Sequence, residues 1–171
     1  MSGTCVYSAA LVLGIAATIL FLVVRVKKGG LPGVITKATA SVLFIATACA
    51  AIVMNLQEYA YGLLIVLGLV CGLLGDIWLD LKYVYPQDND TYLYAGFYSF
   101  FTGHLFFITA IFLSYRWTPW TMAISVIAAL IGAAGATLME KPMKLSYGKF
   151  RATCFIYGFI LMLTASSSIV A

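Results

Sequence analysis

Residues 60–81 read AYGLLIVLGLVCGLLGDIWLDL, an apolar run that is interrupted only near its end, by Asp76 and Asp80. An α-helix needs about 20 predominantly apolar residues to cross the hydrocarbon core of a bilayer. The run reaches that length, so it predicts a transmembrane helix that carries two carboxylates toward one end.

The composition extends this prediction to the whole chain. Of its 171 residues, 63% are hydrophobic and only 9% are charged, against about 25% charged in soluble domains. The apolar runs are long and unbroken, unlike the alternating segments of about ten residues in a β-barrel. We therefore expect an all-α polytopic transmembrane helical bundle, forming one domain over residues 1–171. Six spans are predicted, at 4–24, 36–54, 60–81, 92–114, 117–139 and 151–170.

Glycine and proline mark the predicted breaks between spans. The stretch Gly29–Gly33 ends the first span, and Pro86–Asp90 separates the third from the fourth. Because that connector is short, the third and fourth spans are expected to be antiparallel neighbours. Pro119 falls in the first turn of the fifth span, where its missing N–H costs nothing. The first span is read as a membrane helix because its positive charges follow the apolar run, whereas those of a signal peptide precede it.

The basic residues predict the orientation of the helices. Nine of the ten lysines and arginines fall in or beside the first, third and fifth connectors, and Arg116 is the exception. The positive-inside rule makes that side cytoplasmic and leaves the N-terminus outside. Topology also explains the net charge of +4, so no nucleic-acid partner is expected. The location would be the cell membrane of a bacterium, or the endoplasmic reticulum or another internal membrane of a eukaryote.

The four cysteines indicate neither a metal site nor a disulfide framework. They are scattered through apolar segments without a CxxC pair, and we expect them to be small buried hydrophobic residues. No cofactor motif is present, so no cofactor or metal is expected. The four cysteines are Cys5, Cys49, Cys71 and Cys154.

Small residues at four-residue spacing predict where helices pack closely, because lipid provides no hydrophobic drive for association. In the third span the spacing continues into Asp76 and Asp80, so we expect Asp76 to face the helix that packs on the glycines. The predicted stripes are Gly68, Gly72, Asp76 and Asp80; Gly96, Ser99 and Gly103; and Ala128, Gly132 and Ala136, followed by Glu140 at the rim.

Three ionisable side chains are expected at membrane depth. Asp76 and Lys37 enter from the predicted cytoplasmic side, and His104 lies near the middle of the fourth span. A carboxylate at mid-bilayer costs about 2.5–3.5 kcal/mol, so such groups usually mark function. A polar active site is favoured. The alternative is structural: an Asp76–Lys37 ion pair that ties two helices together, with His104 hydrogen-bonded to a hydroxyl. Asp80 is expected at the interface as a solvated helix end.

Three stretches together resemble the YhhN family, whose animal members are lysoplasmalogenases. They are ITKATASVLFI at 35–45, LVCGLLGDIWLD at 69–80 and YLYAGFYSFFTGHLFF at 92–107. The resemblance covers about residues 35–165. Gly75 and Asp76 match the family's Gly-Asp pair, His104 its histidine, and Lys37 its lysine. Ala38 stands where the family usually has proline. Family members continue into later helices with a second polar motif, so the resemblance implies a shortened member.

The resemblance implies a membrane-embedded hydrolase that cleaves the vinyl-ether bond of a lysoplasmalogen, a lysophospholipid, to a fatty aldehyde and a glycerophospho-alcohol. Asp76 would be the general acid, since withdrawal from water favours a neutral carboxylic acid. His104 would orient or deprotonate the water. Lys37 would hold the substrate phosphate, although its charge also favours ionised Asp76, and these effects oppose each other.

The remaining predicted substrate contacts are Asp80 and the rings of an aromatic stretch around Phe97 and Phe101, which could line an alkyl channel. That stretch also includes Tyr98 and Phe100. The alternative functions are a non-enzymatic small membrane protein or transporter, or an inactive truncated member. A homo-oligomer is a further expectation.

Overall fold

The computed structural model describes residues 3–171, with side chains from Cys5 onward. Within that range there are six long helices and no strand, and each helix is long and apolar enough to cross a membrane. Their bounds are α1 Gly3–Lys27, α2 Gly30–Met54, α3 Tyr59–Val84, α4 Asn89–Ser114, α5 Pro119–Leu138 and α6 Arg151–Val170. The all-α polytopic prediction is confirmed, as is Pro119 in the first turn of α5.

The break between α1 and α2 is much shorter than predicted. α2 begins at Gly30 rather than at residue 36, and the turn consists of Lys28 and Gly29. Gly29 and Gly30 adopt φ values of 59° and 51°, which suit glycine. Pro32 is tolerated inside α2 because the N–H groups of the first turn have no partner within a helix. Lys37 therefore lies about two turns inside α2, deeper than its predicted position at the helix start.

The chain forms two compact units, of which the first ends at Gly103 and the second begins at His104. The first unit contains α1, α2, α3 and the first part of α4. The second contains the rest of α4 with α5 and α6. In the first unit the tight turn folds α1 back along α2, where Leu43 lies against Gly14.

Glycines bring α3 and the first part of α4 into close contact in the first unit. The ring of Phe100 covers Gly75, Leu79 covers Gly96, and Gly103 lies against the backbone carbonyl of Gly68. A Cβ added at Gly103 would lie 2.9 Å from that carbonyl oxygen, so the backbones approach as only glycine permits. The prediction that the third and fourth spans are antiparallel neighbours is confirmed.

The two aspartates of α3 do not face the helix that packs on its glycines. A step of four residues in an α-helix advances the side chain by about 40°, so three such steps turn it by about 120°. Gly68 and Gly75 face α4, whereas Asp76 forms an ion pair with Lys37 of α2. The expectation that Asp76 faces the glycine-packed helix is therefore wrong.

Small residues also pack α5 against α6 in the second unit, but one position away from the predicted stripe. Ala128 and Ala136 are exposed, whereas Gly132 contacts α6 at Met162. The hydroxyl of Ser166 on α6 donates to the α5 backbone at a distance of 2.9 Å. The buried face of α5 consists of Ser125, Ala129 and Ala133.

The four cysteines are free thiols. Cys5 and Cys49 are exposed and the other two are half-buried, so the prediction that all four are buried is wrong. A thiol is apolar enough to face acyl chains, and composition therefore cannot separate a lipid-facing cysteine from a packed one.

We expect Gly103→Ala to destabilise the first unit by about 1–3 kcal/mol, since the new methyl group would push α4 away from the carbonyl of Gly68. Gly72→Ala is the matched control, because a Cβ at Gly72 meets nothing within 4 Å. Thermal unfolding of the two variants in detergent measures the difference. Equal stability of the two would contradict the close approach of α3 and α4.

Candidate functional site

The end of α1 places a charged side chain across the beginning of α2. Arg25 lies in the last turn of α1, and the turn at Lys28 and Gly29 brings α2 directly beside it. Gly33 is buried under this side chain: a Cβ there would lie 3.5 Å from Cδ of Arg25. The small residue thus leaves room for the guanidinium to reach past α2 toward α3.

Four charged side chains of α1, α2 and α3 meet in the first unit, and we call them the charged cluster: Arg25, Lys37, Asp76 and Asp80. Nη1 of Arg25 lies 3.1 Å from Oδ2 of Asp80. Nζ of Lys37 lies 2.9 Å from Oδ1 of Asp76 and 3.7 Å from Oδ2 of Asp80. Positive and negative groups therefore alternate along the cluster, and its formal charges sum to zero.

Asp80 is covered by protein, contrary to the expectation of a solvated helix end. Its side chain is 5% exposed, because α3 continues to Val84, α2 packs on α3, and the Arg25 side chain reaches Asp80 from α1. No well-aligned hydrogen bond reaches Oδ2, so charge attraction to Arg25 and Lys37 holds it. Its predicted role as a substrate contact does not fit a covered carboxylate, and we place it among the structural groups of the site.

Asp76 and Lys37 form the ion pair in which both members are accessible. Their side chains are 29% and 25% exposed, respectively, whereas in the other pair Arg25 is 36% exposed and Asp80 only 5%. A ligand can therefore reach this ion pair without unfolding the helices, whereas it cannot reach Asp80. The predicted pairing of Asp76 with Lys37 in the structural alternative is observed.

Arg25 is a member of the site that sequence reasoning missed. The sequence pattern marks it only as a cation that sets topology, because it lies where a membrane helix usually carries positive charge. The signal in the sequence that could have pointed to Arg25 is the pair of acids on α3. Two carboxylates inside a membrane need two cations, and Lys37 is only one.

His104 belongs to the second unit, where its ring is held by α6. Nδ1 lies 3.1 Å from Oγ1 of Thr164, and the Thr164 hydroxyl donates its proton to the carbonyl of Ile160 at 2.9 Å. Because a hydroxyl has one proton, Oγ1 must accept from Nδ1–H. In a neutral imidazole this places the proton on Nδ1 and leaves Nε2 unprotonated. The rings of Phe107 and Tyr157 contact the imidazole at centroid distances of 5.9 and 6.0 Å.

The aromatic stretch of α4 does not form one continuous wall. Phe100 packs on Gly75 of α3, whereas Tyr98 is 71% exposed. Phe97 and Phe101 are half-buried. They lie about 40° apart around the helix, so these two rings share a face, and the predicted channel is reduced to that pair.

The structure thus brings together Lys37, Asp76 and Asp80, and it adds Arg25. His104 lies in the other unit, and its pairing with Asp76 stays a prediction. Both contacts expected for the structural alternative are present, the Lys37–Asp76 pair and the His104 hydrogen bond to a hydroxyl.

Fold and site define an integral membrane protein of all-α class with a charge-balanced cluster among its first three helices. The YhhN family profile matches residues 32–171. The chain belongs to the YhhN family, which confirms the resemblance and extends it at both ends. Searches of curated proteins and of solved structures each gave no significant match.

We expect Asp80→Asn to destabilise the protein by about 1–3 kcal/mol, because it removes the charge of a covered carboxylate that contacts two cations, Arg25 and Lys37. Asp76→Asn at the more open pair should cost about 1 kcal/mol or less. Thermal unfolding of both variants in detergent compares them. Equal losses would contradict the division of the cluster into a covered and an open pair.

The tautomer of His104 is directly measurable, since it is the only histidine in the chain. Protein labelled with ¹⁵N-histidine should show a protonated Nδ1 and an unprotonated Nε2. Thr164→Val, which removes the acceptor, should release this preference, and Thr164→Ser should keep it. A wild-type spectrum with the proton on Nε2 would refute the assignment.

Proposed function

We propose that this YhhN protein is a membrane-embedded hydrolase that cleaves the vinyl-ether bond of lysoplasmalogens, with Asp76 as the proton donor. The observation that carries the proposal is the difference between the two aspartates. Asp80 is covered and held by Arg25, whereas Asp76 and Lys37 form an open pair 2.9 Å apart. An anionic lipid headgroup can compete for Lys37 while Arg25 keeps its contact with Asp80.

The charge balance of the cluster explains how an ion-paired carboxylate becomes an acid. The resting cluster holds two cations and two carboxylates, so one phosphodiester that binds Lys37 adds one negative charge. Uptake of one proton restores neutrality in a medium where net charge is costly. Asp76 takes that proton because the phosphate has removed its partner, while Asp80 keeps Arg25. Substrate binding thus prepares the acid.

The chemical steps then balance. Protonated Asp76 gives its proton to the vinyl carbon that is not bonded to oxygen, which forms an oxocarbenium ion. Water adds to the carbon bonded to oxygen, and the proton that water loses restores the acid. The resulting hemiacetal breaks its C–O bond to release the fatty aldehyde and the glycerophospho-alcohol. A general acid in such a step contributes about 10²–10⁴-fold.

The other residues have supporting roles in the proposal. The orientation or deprotonation of water by His104 stays an expectation, and it requires an unprotonated Nε2. Phe97 and Phe101 would contact the alkenyl chain from their shared face of α4. The substrate requirements are an anionic phosphate and a vinyl ether, since a saturated ether cannot form the oxocarbenium ion by protonation at carbon.

A structural role for the same groups is the second candidate. It is favoured by the presence of both of its expected contacts, Lys37 to Asp76 and His104 to Thr164. In that case the cluster ties α1, α2 and α3 together, and Asp76 needs no proton. The two candidates differ in what Asp76→Asn does to activity and to stability.

Asp76→Asn should abolish aldehyde release from a lysoplasmalogen while the purified protein stays folded, because the amide cannot donate the required proton. Asp88→Asn is the matched control, since Asp88 lies exposed in the 3₁₀ turn before α4. Aldehyde is measured with the vinyl-ether lipid and with its saturated alkyl analogue, which should release none. Wild-type activity in the Asp76→Asn variant would remove Asp76 as the acid. No release by wild type would favour the structural role.

A further inference from the structure

We propose that Arg25 is a positioning residue, the fixed counter-ion of Asp80 that leaves Lys37 to pair with Asp76. The effect of Arg25 on catalysis rests on the proposed function. Its pairing with Asp80 rests on the geometry of the cluster alone. Arg25 lies before residues 32–171, which match the family. The cation that pairs with Asp80 therefore comes from outside the matched region.

The distances within the cluster show how the two cations divide the two acids. Arg25 lies 3.1 Å from Oδ2 of Asp80, and Lys37 lies 3.7 Å from the same oxygen. The shorter contact of Lys37 is to Asp76, at 2.9 Å. Arg25 is thus the principal partner of Asp80, and Lys37 the principal partner of Asp76.

Removal of the guanidinium would change this division. Asp76 and Asp80 would then share Lys37 as their only cation, and the cluster would carry a net negative charge among apolar helices. Such a charge is costly, so the pair of carboxylates would take up one proton. The groups facing Asp80 are Arg25 from α1, Lys37 from α2 and Asp76 one turn away on α3, while α4 packs on the glycine face of α3. No other charged contact to Asp80 is present in the described part of this unit.

The surroundings of Arg25 fix its side chain in this role. Its stem lies against Gly33, and its guanidinium lies 5.6 Å from the ring centroid of Tyr83 on α3. A planar guanidinium stacks on aromatic rings and is always charged, which suits a permanent counter-ion. Lys27 has the same charge in the same helix turn but is exposed, so it provides a matched control.

The test is infrared spectroscopy of purified protein near neutral pH, which needs no substrate. Arg25→Gln should gain the C=O stretch of one protonated carboxylic acid, and ¹³C-aspartate labelling should shift that band. Wild type, Lys27→Gln and Arg25→Lys should lack the band. In Arg25→Gln/Asp80→Asn the charges balance again, so the band should disappear. A folded Arg25→Gln protein with the wild-type spectrum would overturn the proposal.

Measurements of unfolding stability test the proposal even if the Arg25→Gln single variant does not fold. The charge-balanced double variant Arg25→Gln/Asp80→Asn should be more stable than either single variant. A double variant no more stable than the less stable single variant would reject Arg25 as the counter-ion of Asp80.

Activity then tests the catalytic part separately. If the wild type releases aldehyde, Arg25→Gln should raise KM by about tenfold, because Lys37 is shared and less available to phosphate. Arg25→Lys should restore KM, and Lys27→Gln should leave it unchanged. If the wild type releases none, the proposed hydrolase fails, while the infrared and unfolding results still decide the role of Arg25. An unchanged KM in an active Arg25→Gln protein would reject the positioning role.

Discussion

Charge neutrality in a medium of low dielectric is the constraint on which the first unit depends. Two carboxylates on α3 cannot stay ionised among apolar helices unless cations reach them. Lys37 reaches them from α2 and Arg25 from α1, at distances of 2.9 Å to Asp76 and 3.1 Å to Asp80. The two ion pairs therefore hold three helices together where the hydrophobic effect provides no force between them.

The geometry of α3 lets one face of the helix pack on α4 while another face carries the ion pairs to α2 and α1. Gly68 and Gly75 present the close-packing face to α4, and the helical repeat turns Asp76 and Asp80 toward α2 and α1. A charge network and a close backbone contact therefore do not compete for the same surface. The contact with α4, in which Leu79 covers Gly96, lies beside the turn of α3 that carries Asp80.

The cluster combines a closed ion pair with an open one. Asp80 with Arg25 forms the closed pair, since Asp80 is nearly covered and its guanidinium partner cannot lose its charge. Asp76 with Lys37 forms the open pair, in which both side chains are partly exposed. In the proposed function an anionic headgroup separates the open pair while Asp80 keeps Arg25, so the same cluster contributes to substrate binding and to folding.

Sequence alone determined the number of helices, their transmembrane character, the antiparallel packing of α3 beside α4, and the Lys37–Asp76 pair expected in the structural alternative. These features can be predicted from the length of the apolar runs and from the residue spacing, because both depend only on neighbours along one helix. Only the tertiary structure decided that Asp80 is covered, that Arg25 joins the cluster and that the buried stripe of α5 is one position away from Ala128. Each of these depends on which helix packs over a given turn, and a four-residue spacing cannot specify that when the helix repeats every 3.6 residues.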